Sequence, residues 1–311
     1  MIKDLSVGDV VRGLVLYCKS KTSAVSQKTN NTYYSVTLQD ASGVIDGKIW
    51  ELTDSIDDFG SGDFVCIEGR VSSFNNSAQL HITSCRIVDP SMVRLDDFAP
   101  KTPCDVDELL SQLDELVDSV QNPYLKSLLE SFFNDFNFMS VFREKSAAKT
   151  LHHAYRGGLL EHTVSVAENC EFIAKKYPKI NRDLAITGAL LHDIGKVKEL
   201  SDFPENDYSD PGILLGHIFI GAEMVSEHAK AIDGFPENLR NELIHCILSH
   251  HGEIEHGAVK VPALIEAVAI SYADDLDAKL RRFTDILADN NGEWSEKSDF
   301  ALNTKFRGTM L

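Results

Sequence analysis

Residues 189–196 read ALLHDIGK and residues 157–163 read GGLLEHT. In both stretches an apolar run at helical spacing delivers a histidine, His192 or His162, and in the former Asp193 follows at once. An adjacent His-Asp pair is a weak signal alone, because it arises by chance and often does no more than close a helix. Here further stations follow in order. His217 comes directly after Gly216, His250 and His251 lie in LSHHG, and Asp274 lies midway through SYADDLDAKL. Ten of the eleven histidines fall between His152 and His256, with His81 the exception.

Imidazole and carboxylate donors together suit intermediate divalent metals such as Mn, Fe, Co, Ni or Zn. His162, His192, Asp193 and Asp274 supply four donors for one ion with room left for water. Asp193 can also bridge to a second ion held by His217, His250 and His251, as in two-metal hydrolytic centres with ions roughly 3.5 to 4 Å apart. One histidine of the 250/251 pair suffices, and without this second set the centre is mononuclear. Asp275 competes with Asp274 as the ligand, but Ile270, Asp274 and Asp277 share one helical face, which favours Asp274 and makes Asp277 a supporting partner. Lys196, one turn beyond Asp193, is a candidate to steady a scissile phosphate; its alternative role is a helix-terminal lysine favoured by the dipole. Arg156 and the pair His152/His153, just ahead of GGLLEHT, are candidates to touch substrate or to serve structure.

The first ~95 residues carry a different periodicity, in which short Val/Ile/Tyr-rich segments alternate with polar turns. Strands are predicted at Asp9 to Lys19, Thr32 to Gln39, Gly43 to Trp50, Phe64 to Ser72 and Gln79 to Val88, with room for a short helix between the third and fourth. Five strands with a helix after the third resembles the OB-type nucleic-acid-binding barrel, in which the loop Ser20 to Asn31 and the turn Phe74 to Ser77 would face a ligand. Tyr33, Tyr34, Trp50 and Phe74 are candidate stacking platforms for bases, although a strand aromatic is more often core. Lys19, Lys21, Lys28, Lys48 and Arg70 add local positive charge.

Domains are therefore expected at 1–95 (barrel), 96–107 (a linker, DDFAPKTPCDVD), 108–289 (helices) and 290–311 (an extended tail). Helices are predicted over Val106 to Val120, Pro123 to Asn137, Gly158 to Lys176, Asn181 to His192, Gly216 to Ala231, Pro236 to His251 and Val261 to Leu287. Trp294, Phe300 and Phe306 in the tail suggest docking on a neighbouring copy. The six cysteines show no C-x-x-C pair, so they read as reduced thiols. No apolar run approaches the ~18 residues of a membrane span and the first ten residues lack a signal-peptide core, so a cytoplasmic protein without a membrane partner is expected.

The net charge is −18. Residues 1–95 hold nine Lys/Arg and eleven Asp/Glu, a net of −2, which leaves 30 − 9 = 21 against 48 − 11 = 37, a net of −16, for the remainder. A metal centre brings its own positive charge, so an acidic scaffold does not exclude a phosphate substrate. It does predict weak nonspecific affinity for nucleic acid.

The ordered series H…HD…H…HH…D, with GGLLEHT and LLHDIGK, resembles the HD-domain metal-dependent phosphohydrolases. With an OB-type barrel ahead of it and HHAYRGGLLEHT leading into the first station, the chain resembles most the YhaM-type 3′→5′ exoribonucleases. The HD-GYP cyclic-dinucleotide enzymes fit less well, since HHGEIEHGAVKVP stands where their Gly-Tyr-Pro signature belongs. The resemblance implies a multidomain chain, an all-β OB-fold barrel followed by an all-α HD-domain bundle. It also implies metal-dependent hydrolysis of single-stranded RNA, and of single-stranded DNA besides, to nucleoside 5′-monophosphates. Manganese is the metal implied, with Fe²⁺ or Co²⁺ equally suited to the donors, and a homo-oligomer is expected. The alternatives are an HD-type nucleotidase acting on mononucleotides and a noncatalytic nucleic-acid-binding adaptor.

Overall fold

Alternation of buried and exposed side chains builds the N-terminal sheet. In the computed structural model, which describes residues 1–26, 30–74, 77–149, 153–287, 292–295 and 304–309, five strands form β1 (Val10–Val25), β2 (Thr32–Asp40), β3 (Gly43–Ile49), β4 (Phe64–Phe74) and β5 (Ser77–Val88). Lys28, Asn75, Asn76, His152 and Phe300, named above, lie outside the described residues. Val36 and Leu38 of β2, Ile45 and Ile49 of β3, and Leu80 and Ile82 of β5 point inward at every second position, as a pleated strand requires. The sheet closes as β1-β2-β3-β5-β4, with only the β3–β5 pairing parallel. β1 is longer than expected because it serves two neighbours: Val10 to Tyr17 pairs with β4 and Tyr17 to Val25 with β2. Closure leaves the barrel no free edge.

The expected helix between β3 and β4 is absent. Leu52, Ile56 and Phe59 have helical spacing, but the backbone is committed to β5: Cys85 N–H donates to Ser55 O, and Asp57 N–H donates to Cys85 O, both at 2.9 Å. Asp57 strengthens the attachment by accepting from Ile87 N (2.9 Å) and pairing with Arg86 (2.6 Å). Phe59 then caps the barrel core.

The chain divides into two compact units, Met1–Lys101 with Asp202–Asn206, and Thr102–Ser201 with Asp207–Leu311. Residues 96–101, expected to be linker, belong to the first. Phe98 is buried there against Phe64, with ring centroids 4.8 Å apart, and its carbonyl accepts from Gln39 Nε2 at 2.7 Å.

In the second unit the helices are α1 (Val106–Ser119), α2 (Pro123–Phe133), α3 (Phe136–Phe142), α4 (Gly158–Lys176), α5 (Arg182–Leu191), α6 (Lys196–Glu199), α7 (Asp210–Ala231), α8 (Glu237–Ser249) and α9 (Ile265–Leu287). Several start on the residue that capping chemistry favours: Asp105, Asn122, Asn181 and Ser209 each accept from backbone N–H groups of the first turn. The single helix expected over Pro123 to Asn137 is two, because Asp135 accepts from Phe138 N and restarts the chain in a new direction. Phe132, Phe133, Phe138 and Phe142 pack together across that break. α7 starts six residues earlier than expected and kinks at Gly216, where φ is 74°. α5 is buried along its length and packs on α4, α8 and α9, so its C-terminal end lies deep in the bundle. Phe306 of the expected tail folds back onto Phe283 of α9 in the same chain, with ring centroids 3.8 Å apart. No helix among the described residues is long and apolar enough to cross a membrane.

Phe142 is fully buried and holds α3 to the bundle. Phe142→Ala is expected to lower the stability of the helical unit by about 3 to 5 kcal/mol, measured by denaturant unfolding.

Candidate metal centre

Two of the histidines are aimed by their own helix ends. The last carbonyls of a helix lack intrahelical donors. His192, just past α5, donates Nδ1–H to Ala189 O at 2.7 Å, and His250, just past α8, donates Nδ1–H to Ile247 O at 2.7 Å. Because a carbonyl can only accept, both rings carry hydrogen on Nδ1 and present the bare Nε2 to the interior when neutral. His162 on α4 and His217 on α7 reach the same state through carboxylates from distant segments: Nδ1 of His162 donates to Asp277 Oδ2 at 2.7 Å, and Nδ1 of His217 to Glu199 Oε1 at 2.9 Å. Glu199 also accepts from His217 N at 2.9 Å. Two glycines make the His217 placement possible. Gly216 supplies the positive φ of the kink, and a Cβ on Gly195 would stand 2.1 Å from His217 O.

The four Nε2 atoms surround Asp193, which is 2% exposed. Its Oδ2 lies 3.5 Å from His162 Nε2 and 3.4 Å from His192 Nε2, and Asp274 Oδ1 lies 3.2 Å from His162 Nε2. Its Oδ1 lies 3.4 Å from His217 Nε2 and 3.6 Å from His250 Nε2. Donors about 2.1 Å from a shared ion, at octahedral to tetrahedral angles, stand about 3.0 to 3.4 Å apart. Each oxygen of Asp193 thus faces its own set of donors. His251 joins His217 and His250 within 4.8 Å.

Three observations fit this donor set to cations. Asp193 Oδ1, His217 Nε2, His250 Nε2 and His251 Nδ1 are all buried without a hydrogen-bond partner, a costly condition that a bound cation relieves. His162 Nε2 and His192 Nε2 lie 3.2 Å apart although each ring's Nδ1 hydrogen is already committed, so two lone pairs oppose each other unless a proton or cation lies between. Titration follows the same logic. Burial disfavours charge on His162, but its bonds to Asp274 and Asp277 and the nearby carboxylates outweigh that and push it up to about 10. Burial and the neighbouring imidazoles hold His250 well below the ordinary histidine range. Burial resists ionisation of Asp193 too, yet Lys196, His192 and His217 keep its carboxyl well below the usual range.

Lys196 Nζ donates to Asp193 Oδ2 at 2.5 Å. Asp275 is turned away to Lys279, at 2.6 Å. His153 is 1% exposed behind His162, with Nε2 2.9 Å from Asp277 Oδ2 and Nδ1 2.9 Å from the Tyr155 hydroxyl oxygen. The Tyr155 hydroxyl donates to Glu161 Oε2 at 2.9 Å, and Glu161 accepts from Arg281 at 3.0 Å. Arg156 pairs with Glu144. Glu199, Tyr155, Glu161 and Arg281 escape a motif search, because carboxylates and phenols behind a histidine have no fixed spacing from it. In the barrel, Tyr33 and Trp50 form a pair with ring centroids 4.6 Å apart, and Lys48 Nζ stands 5.4 Å over the Tyr33 ring. Trp50 is 42% exposed and Phe74, at the β4–β5 turn, 59%. Tyr34 packs against the barrel core instead, under Lys21.

Comparison with known families agrees with this architecture. The family model of the HD domain matches residues 159–279, and that of the OB-fold nucleic acid binding domain matches residues 3–88. The chain is an OB-fold barrel followed by an HD domain. That order matches the layout of the YhaM-type proteins. Among solved structures, the HD domain of the L. monocytogenes phosphodiesterase PgpH is similar at 21% identity and a TM-score of 0.29, covering 52% of this chain and 74% of that one. All of the clustered donors fall within the matched HD domain.

Two expectations follow for the HD centre. Since His162 keeps its proton up to about pH 10 in the metal-free protein, an incoming ion must displace it, and Mn²⁺ affinity should rise with pH. Calorimetry at pH 8 in buffers of different ionisation enthalpy should register proton release on Mn²⁺ binding. Asp277→Ala, which unties His162 and His153 together, should weaken Mn²⁺ binding about 10- to 100-fold.

Proposed function

We propose that this chain is a metal-dependent 3′→5′ exoribonuclease, hydrolysing single-stranded RNA, and single-stranded DNA besides, to nucleoside 5′-monophosphates. The observation that carries this reading is the shared carboxylate: Asp193 turns one oxygen to His162 and His192 and the other to His217 and His250. With His251 and Asp274 this is a donor set for two ions, as two-metal phosphodiester hydrolysis requires. When bound, the ions, manganese by preference and Fe²⁺ or Co²⁺ as substitutes, supply water activated near neutral pH and positive charge against the scissile phosphate.

The protein's side chains do the rest. The Nδ1 partners keep four imidazoles turned to the centre with no reorganisation at the moment of reaction. Lys196 holds its ammonium at the shared carboxylate of Asp193, from which its flexible stem would let it turn to a phosphate oxygen. The barrel supplies strand affinity: the Tyr33–Trp50 pair offers a face for bases, and Lys48 places a cation beside it. Tethering that affinity to the HD domain raises the effective concentration of strand ends at the centre. The near-neutral barrel charge supports recognition by stacking over a broad cationic surface. The YhaM-type resemblance further supports a cytoplasmic homo-oligomer.

Incubation of a 5′-labelled oligoribonucleotide with Mn²⁺ is expected to give a ladder shortened from the 3′ end with nucleoside 5′-monophosphates as products. Asp193→Ala should lower the rate about a thousandfold or more, the equivalent of several kcal/mol of lost stabilisation. Phosphate release from mononucleotides with the oligonucleotide left intact would instead establish a nucleotidase.

A further inference from the structure

A cleft of about 370 Å³ opens beside the metal centre within the helical unit. His251, one of the clustered donors, forms part of its wall. Much of the opposite wall is a single face of α9. Asp274 and Asp277 turn one stripe of that helix to His162, while Val268, Tyr272, Asp275 and Lys279, spaced by four, three and four residues, line the cleft on the adjoining stripe. One helix therefore places the metal-facing carboxylate and the cleft lining in fixed register.

Tyr272 is the dominant feature. Its ring is 71% exposed although it stands on a helix beside the buried centre. Exposed aromatic faces next to a polar site are where bases stack. The charge of the cleft is not that of a phosphate site: Lys279 is bound to Asp275 at 2.6 Å, and Glu253 adds a second carboxylate. Carboxylates repel phosphate but accept hydrogen bonds from ribose hydroxyls and base amino groups. The volume is at the lower end of the range for small-molecule pockets, about 300 to 1,000 Å³, which suits one nucleoside and not several.

We infer that this cleft binds the terminal nucleoside of the strand, with its base stacked on Tyr272 and its sugar toward Glu253 and Asp275, while the attached phosphate meets the metal centre past His251. The inference rests on the phosphodiesterase reading and deepens it. A pocket for one nucleoside, walled by the α9 stripe, sets the cut one residue from the end. It also makes Tyr272 a positioning residue for the substrate and not a ligand of the metal.

The test compares two Mn²⁺-dependent substrates, a short oligoribonucleotide and bis(p-nitrophenyl) phosphate, which has a phosphodiester but no nucleoside. Tyr272→Ala should raise KM for the oligonucleotide about tenfold or more, a loss at least about tenfold greater than any change on bis(p-nitrophenyl) phosphate. Tyr272→Phe, which keeps the ring, should stay within about twofold of the wild type on the oligonucleotide. Saturation-transfer NMR of AMP with the metal-free protein should show contact at the adenine H2 and H8 protons that Tyr272→Ala removes. Equal losses on both substrates, or an unchanged KM for the oligonucleotide, overturn the nucleoside cleft while leaving the phosphodiesterase reading intact. A wild-type protein that hydrolyses neither substrate overturns both.

Discussion

A buried carboxylate without a compensating charge is among the costliest features a folded chain can carry. Asp193 is a buried carboxylate whose one ammonium partner, Lys196, meets only Oδ2, and much of the helical unit is arranged around its two oxygens. α4 and α7 each bring a donor, and α5 and α8 an adjoining histidine, to within a few ångströms of it, while Asp274 of α9 meets His162. Nitrogen donors alone do not satisfy it, since Oδ1 is left without a hydrogen bond and the facing Nε2 atoms are bare. The cluster is thus a cavity for positive charge whose walls are already in position. Lys196 supplies one unit of that charge from the protein itself.

The rigidity of this arrangement has two sources of different range. His192 and His250 are oriented by carbonyls three residues earlier, so the helix end that delivers each ring also aims it. His162 and His217 depend on Asp277 and Glu199, which lie 115 and 18 residues away in the chain. Behind Asp277 a chain of contacts through His153, Tyr155 and Glu161 ends on Arg281, returning to the helix that carries Asp277. Such an outer network fixes ring orientation and raises the basicity of the donors, which is how a protein tunes a metal it touches only through four or five side chains.

The two units differ in the surfaces they offer. The barrel offers an aromatic pair and a lysine on a closed sheet, a surface tolerant of sequence because every base has a stacking face. Residues 96–311 carry a net charge of −16, so a polyanion would find attraction there only where cations are held.

Much of this was legible in the residues. Period-two alternation located the five strands, apolar spacing located most helices, and the ordered histidines and aspartates singled out side chains that the fold brings together, because each of these signals is a property of a few neighbouring residues. The helical face that favoured Asp274 over Asp275 is the one turned toward His162. What sequence spacing could not decide were choices settled by partners remote in the chain. Leu52, Ile56 and Phe59 have helical spacing, yet hydrogen bonds to Cys85 draw their segment onto β5. Asp135 splits an apparently continuous helix because its carboxylate finds Phe138 N. His153 resembles a substrate contact in sequence and is buried behind His162, because Asp277 and Tyr155 hold both its nitrogens. Phe306 seeks Phe283 of its own chain. The sequence by itself determined which chemical groups were present and which short segments could be helix or strand. Only the tertiary structure decided which atoms face each other, since the direction of a side chain is set by contacts whose sequence separation carries no local signal.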